Sequence, residues 1–94
     1  MSAVLGIILE TILRRPRVEE ATGYARSTLY LRISQGLWTR GVILGPRAVG
    51  WPASEVAAIN AARIAGRTDD EIRQLVVRLH LARGAAVASL EHRS

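Results

Sequence analysis

Between Pro16 and Gly36 the chain reads PRVEEATGYARSTLYLRISQG, and no other stretch limits its possible folds as strongly. Pro16 suits a first helical turn, where a missing N–H costs nothing, and Gly23 stands where the chain must reverse between Thr22 and Ala25. Two short helices joined by a tight turn follow. With Leu29 and Ile33 turned inward, the second helix presents Ser27, Thr28, Leu31, Ser34 and Gln35 on its opposite face and Arg26 in its first turn. A solvated helix usually carries Glu and Lys there. A small, polar, uncharged face with an arginine at its N-terminal end is what close approach to base edges in a major groove requires. The alternative is a solvent-facing helix in a small all-α domain, and this stretch alone leaves both open.

Charge distribution bears on that choice. The chain has 94 residues, enough for one domain whose marginal core gains from its terminal segments or from partners. Its formal charge is +5, from 13 basic and 8 acidic side chains, and every basic one is arginine, the planar fork suited to phosphate and guanine. From Arg14 to Arg47, seven arginines face only Glu19 and Glu20, so this stretch carries the whole excess and the remainder is neutral. A nucleic-acid footprint is confined in this way. Cysteine is absent, and His80 and His92 are too few and too far apart for a metal cluster, so neither metal nor cofactor is expected. An enzyme is not expected either, because no nucleophile has a base in a recognisable arrangement and no glycine loop cradles phosphate. Glu19 and Glu20 point in different directions on a helix and read as solvated charge. No small-molecule substrate is implied.

The remaining segments are read in order. Residues 1–13, MSAVLGIILETIL, are the most apolar, yet have no basic residue before the apolar run, no cleavage site and too few residues to span a bilayer. A cytoplasmic protein without a membrane partner is expected. Val4, Leu5, Ile8, Leu9 and Ile12 recur at helical spacing, while Thr11 to Leu13 suits equally a short strand leading into Arg14 and Arg15. A helix or extended arm is expected, covering its own core or a neighbour's. After Gly36 the period becomes two: Val42 and Leu44 face one way, Ile43 the other, Gly45-Pro46 punctuates, and Val49 and Trp51 share a face. This predicts a two-stranded hairpin, or wing, with Arg40 at its base and Arg47 just past its tip; Trp38 and Trp51 read as core aromatics. Pro52 to Ala65 is alanine-rich and helical, with Val56 and Ile59 inward and Gly66 as its stop. Thr68 opens a last helix through a capping box with Glu71, and Asp69 and Asp70 suit the helix dipole. Ile72, Leu75, Val76 and Leu79 form its stripe, Val77 and Leu81 broaden it, and Arg83 and Gly84 are expected to end it before a loose tail from Ala85 to Ser94. Both ends are more apolar than a domain this small can readily hide. Leu5 and Ile8 at one end and Leu75 and Leu79 at the other are therefore candidate contacts between protomers.

The linked motifs TGYARSTLY (Thr22 to Tyr30), Ile33, Gly36, VILGPRAVGW (Val42 to Trp51) and SEV (Ser54 to Val56) resemble the AlpA family of phage-type regulators, winged-helix proteins related to MerR-type DNA-binding domains. The trailing GRTDDEIRQLVVRLHLAR is similar to the C-terminal extension of a proteobacterial subset. The resemblance covers about Leu13 to Arg83. It implies a mainly α chain with a small β-hairpin wing, a MerR/excisionase-like winged helix-turn-helix over residues 14–66. An apolar arm or helix would precede it over 1–13, and a C-terminal helix and tail would follow over 67–94. It also implies a double-stranded DNA partner, with the second helix in the major groove and the wing on the flanking backbone. By position, Arg26, Ser27, Thr28 and Tyr30 match the family's recognition helix and Arg47 its basic wing residue; Arg32 and Arg40 complete the expected DNA-binding set. Thr39 and Gly41 depart from the pattern, standing where prolines are usual, and Leu31 stands where a basic residue is common, with Arg32 beside it.

Members of this family act as transcriptional regulators or as excisionases. An excisionase, or recombination directionality factor, binds repeated sites beside an attachment site and bends the DNA, so that a tyrosine recombinase assembles an excisive complex. Small size and apolar ends favour an excisionase with a regulatory side role, acting as a homo-oligomer on DNA with the recombinase as a further partner. Promoter control without excision is one alternative, and a DNA-free adaptor that binds protein through its terminal helices is another.

Overall fold

A computed structural model describes residues 10–91. In chain order its elements are β1 (Ile12–Arg14), α1 (Arg15–Thr22), α2 (Arg26–Ser34), β2 (Val42–Gly45), β3 (Ala48–Pro52), α3 (Ala53–Ile64) and α4 (Asp69–Glu91). The chain is mostly helical with a small antiparallel sheet, a winged-helix arrangement as the sequence implied.

The turn between α1 and α2 is made by local chemistry. Pro16 lies in the first turn of α1, and Gly23 caps the helix at φ 76°, its N–H bonding the Glu19 carbonyl at 2.8 Å. A side chain at that left-handed position costs about 1 kcal/mol, which is why glycine stands there. The Thr22 hydroxyl donates to the Val18 carbonyl at 2.8 Å and accepts the Tyr24 N–H at 3.1 Å, tying both sides of the turn together.

The wing is larger than the sequence suggested. The β2–β3 hairpin is joined by β1 in the order β1-β3-β2, with Leu13 opposite Trp51 and Arg14 opposite Gly50. The strand alternative for Thr11 to Leu13 is therefore the better description of that end of the arm, one residue later. A Cβ on Gly50 would sit 2.5 Å from Ile12 Cγ2 and 3.0 Å from the Leu13 carbonyl oxygen, so the absence of a side chain lets β1 lie against β3. Glu10 then reaches past β1 to α3, where its carboxylate accepts hydrogen bonds from both the N–H and the hydroxyl of Ser54. Leu5 and Ile8 lie outside the described residues.

One core joins α1, α2, α3 and α4 to β3: Val18, Leu29, Leu37, Trp38, Trp51, Val56, Ile59, Ile72 and Val76 are buried together. Trp38 and Trp51 are thus core residues, as read. The Trp51 indole N–H donates to the Thr39 carbonyl at 2.8 Å, and Tyr24 stands edge-on to Trp38 with ring centroids 6.1 Å apart. Asn60 Nδ2 ties α3 to the end of α1 through the Ala21 carbonyl at 2.9 Å.

At the start of α4 the expected capping box is present, with the Thr68 N–H donating to Glu71 Oε1 at 2.9 Å and the Glu71 N–H to Thr68 Oγ1 at 3.2 Å. Thr68, through its backbone and then its hydroxyl, holds the Glu71 carboxyl below its ordinary pKa of 4.5. The expected stop at Arg83 and Gly84 is corrected: α4 runs on to Glu91. A glycine inside a helix costs only about 1 kcal/mol, and Arg83, one residue before it, is anchored to α3. Leu75 and Leu79 pack partly buried against the domain's own core, whereas Val77 and Leu81 are exposed. No helix of the described residues is long and apolar enough to cross a membrane.

Candidate nucleic-acid interface

Burying Leu29, with Ile33 packed beside it, fixes how α2 is turned. Arg26, Ser27, Tyr30, Leu31, Ser34 and Gln35 are left exposed, and Thr28 is half-buried. No acidic residue lies on α2, and no side chain caps its N-terminus at Ala25, so its positive end and free amides accompany Arg26. The Ser34 hydroxyl turns back to the Leu31 carbonyl at 2.7 Å. Arg32 is committed elsewhere: its guanidinium carbon lies 5.8 Å from the Tyr24 ring centroid, a cation–π distance, and Nη1 reaches Gln35 Oε1 at 3.4 Å. That stacking joins α2 to the turn before it, and no local spacing rule reveals it.

The arginines divide into two groups. Six of the described ones face a carboxylate: Arg15 with Glu19, Arg17 with Glu20, Arg63 with Asp69, Arg67 with Glu71, Arg73 with Asp70 and Arg83 with Glu55. Arg14, Arg26, Arg40 and Arg47 have no acidic partner among the described residues, and all four belong to the helix-turn-helix and wing. Outside that region, among the described residues, Arg78 is similarly placed, as is Arg32 on its tyrosine inside it.

His80, Arg83 and Glu55, to which the sequence assigns no part in the wing, set its base. The Arg40 N–H donates to His80 Nε2 at 3.1 Å, and the Arg40 carbonyl accepts from Arg83 Nη2 at 2.8 Å. Arg83 at the same time grips both oxygens of Glu55, which is buried, at 2.8 and 2.7 Å. Helix α4 therefore holds the peptide of Arg40 from both sides while its side chain stays exposed. Partial burial, then the charges of Arg40 and Arg83, hold the His80 pKa below its usual 6.5, with Glu55 opposing. A neutral imidazole is the form that accepts an N–H. Thr39 and Gly41 are thus held without prolines: Thr39 is buried with its carbonyl on Trp51, and the Arg40 carbonyl before Gly41 is held by Arg83 of α4.

Residues 11–63 match the family described as prophage CP4-57 regulatory protein (AlpA). The chain belongs to this family. The match to the AlpA family runs from the start of the sheet into the last turns of α3, and so takes in Arg14, Arg26, Arg40 and Arg47 but neither His80 nor Arg83. A protein of Enterobacteria phage P4, described as uncharacterized protein ORF88, is 46% identical over 61 residues, which is 65% of this chain and 69% of that relative. No solved structure matches the chain.

Proposed function

We propose that this AlpA-family protein binds double-stranded DNA site-specifically and acts as the excisionase of a prophage or integrative element, with transcriptional regulation as a side role. The observation that carries DNA binding is the acid-free, exposed face of α2, flanked by arginines that no carboxylate of the described residues neutralises. In this reading α2 enters the major groove. Arg26, with Ser27 and Thr28, meets base edges, Tyr30 and Leu31 supply apolar contact to base or sugar, and Arg40 and Arg47 hold phosphates from the base and tip of the wing. Arg32, stacked on Tyr24, braces α2 from behind.

Excision adds a requirement for neighbours. Binding repeated sites cooperatively needs a protein contact that does not close on itself, and a head-to-tail contact between different surfaces meets that need. Leu75 and Leu79 are only partly covered by the core, and on the opposite face of α4 Val77 and Leu81 stand 57% and 69% exposed. With Leu5 and Ile8 of the N-terminal segment they are the proposed contact, and a tyrosine recombinase is the further partner. Promoter control without excision is the second reading, favoured by the family's description as regulatory. Footprinting on the attachment region of the source element separates the two. Several adjacent protected sites beside the attachment site, filled cooperatively, are expected for an excisionase; protection confined to a promoter overturns that role and leaves regulation.

A further inference from the structure

We infer that β1, the start of α1 and the wing together form a backbone-phosphate clamp, in which Arg14 and Arg47 hold one phosphodiester of duplex DNA apart from the helix that reads the bases. This rests on the DNA binding proposed above. Arg14, Arg15, Pro16, Arg47 and Val49 line one surface hollow. Arg14 and Arg47 are far apart in sequence, and the pairing of β1 with β3 brings them there, since it sets Arg14 opposite Gly50, three residues beyond Arg47.

The charge around the hollow is one-sided. Among the described residues no carboxylate lines it, and of its three arginines only Arg15 is neutralised, by Glu19 at 2.8 Å. Two unpaired guanidinium groups facing a shared space repel each other until an anion lies between them. A phosphodiester has two unesterified oxygens and one negative charge, which two planar forks approaching from different strands can share. Pro16 and Val49 give the hollow apolar walls, suited to the sugar edges beside a backbone phosphate and not to a small hydrated anion. Gly50 sets the spacing, because any side chain there would meet Ile12 and push β1 away from the wing.

The test uses the full chain and a short duplex carrying its site, with affinity read by fluorescence anisotropy across a salt series. Arg14→Ala and Arg47→Ala are each expected to weaken binding about tenfold, and the double variant to reduce the log-log salt slope by about 0.9, the share of one phosphate, with thermal midpoints unchanged. Replacing backbone linkages one at a time by neutral methylphosphonate should identify a single linkage whose neutralisation reproduces the loss and makes both variants silent. Arg14→Lys should recover part of the affinity. If Arg14→Ala binds as wild type while Arg26→Ala is weakened, the clamp is wrong and DNA binding stands. The clamp is equally overturned if the two variants answer to different linkages, or if inorganic phosphate binds the Arg14-dependent site and leaves duplex affinity untouched. Absence of duplex affinity in the wild-type chain removes the clamp and the DNA binding together.

Discussion

Arg63, Arg67, Arg73 and Arg83, on α3, on α4 and between them, each face a carboxylate, whereas Arg14, Arg26, Arg40 and Arg47, between β1 and the wing, face none among the described residues. The residue type is the same, so composition cannot tell the two groups apart. Their difference lies in where the acids are. Glu55, Asp69, Asp70 and Glu71 all sit within α3 and α4 or beside them, and the charge of that half is neutralised internally. The other half keeps its positive potential for something outside the chain. Paired arginines should therefore change stability when removed, and unpaired ones should change affinity.

The largest effect is expected where the pair is most buried. Arg83→Ala leaves the Glu55 carboxylate without its partner in a nearly closed site, and a loss of about 3 kcal/mol in urea unfolding is expected. A loss below about 0.5 kcal/mol would put this pair among ordinary surface contacts and blur the contrast. Next comes Arg26→Ala, which should cost about 1–3 kcal/mol of binding to the cognate duplex with less discrimination between sites, while stability stays within about 0.5 kcal/mol. If it unfolds the domain instead, α2 is a structural helix and the comparison fails. Arg67→Ala removes an exposed pair with 3.8 Å between its atoms, and should alter stability by no more than about 0.5 kcal/mol and affinity not at all.

The smallest effect concerns pH. The folded chain disfavours protonated His80, so it binds fewer protons than the unfolded chain, and stability should fall as pH drops through the usual histidine value of 6.5 and level off below the lowered one. Protonation also removes the acceptor for the Arg40 N–H. His80→Gln, measured beside wild type from pH 8 to pH 5, should flatten that part of the profile. An unchanged profile would separate His80 from the wing.

What was legible in the sequence was local. The capping box joins residues three apart, Gly23 caps a helix by its own backbone angle, and the period of α2 shows which of its residues turn inward; each signal lies within one or two turns of chain. The pairing of Arg14 with Gly50 and of Arg83 with Glu55 depends on residues that meet only after folding. For that reason the third strand was an alternative and the end of α4 was misplaced: Gly84 carries a local stop signal, and a contact 28 positions away lies just before it. The same limit divides the candidate site. The exposed face of α2 was readable from periodicity, but the stacking of Arg32 on Tyr24 and the grip of His80 and Arg83 on the Arg40 peptide were not.

The most direct test of the contrast is the salt dependence of duplex affinity, measured for the wild-type chain and for two sets of variants. With about five or six phosphates neutralised per protomer, the log-log slope should lie at about −4 to −6. Removing Arg40, or Arg14 and Arg47 together, should make it shallower by about 0.9, and removing Arg63, Arg67 or Arg73 should leave it where it was. A slope near zero, or an equal change from both sets, would contradict the account.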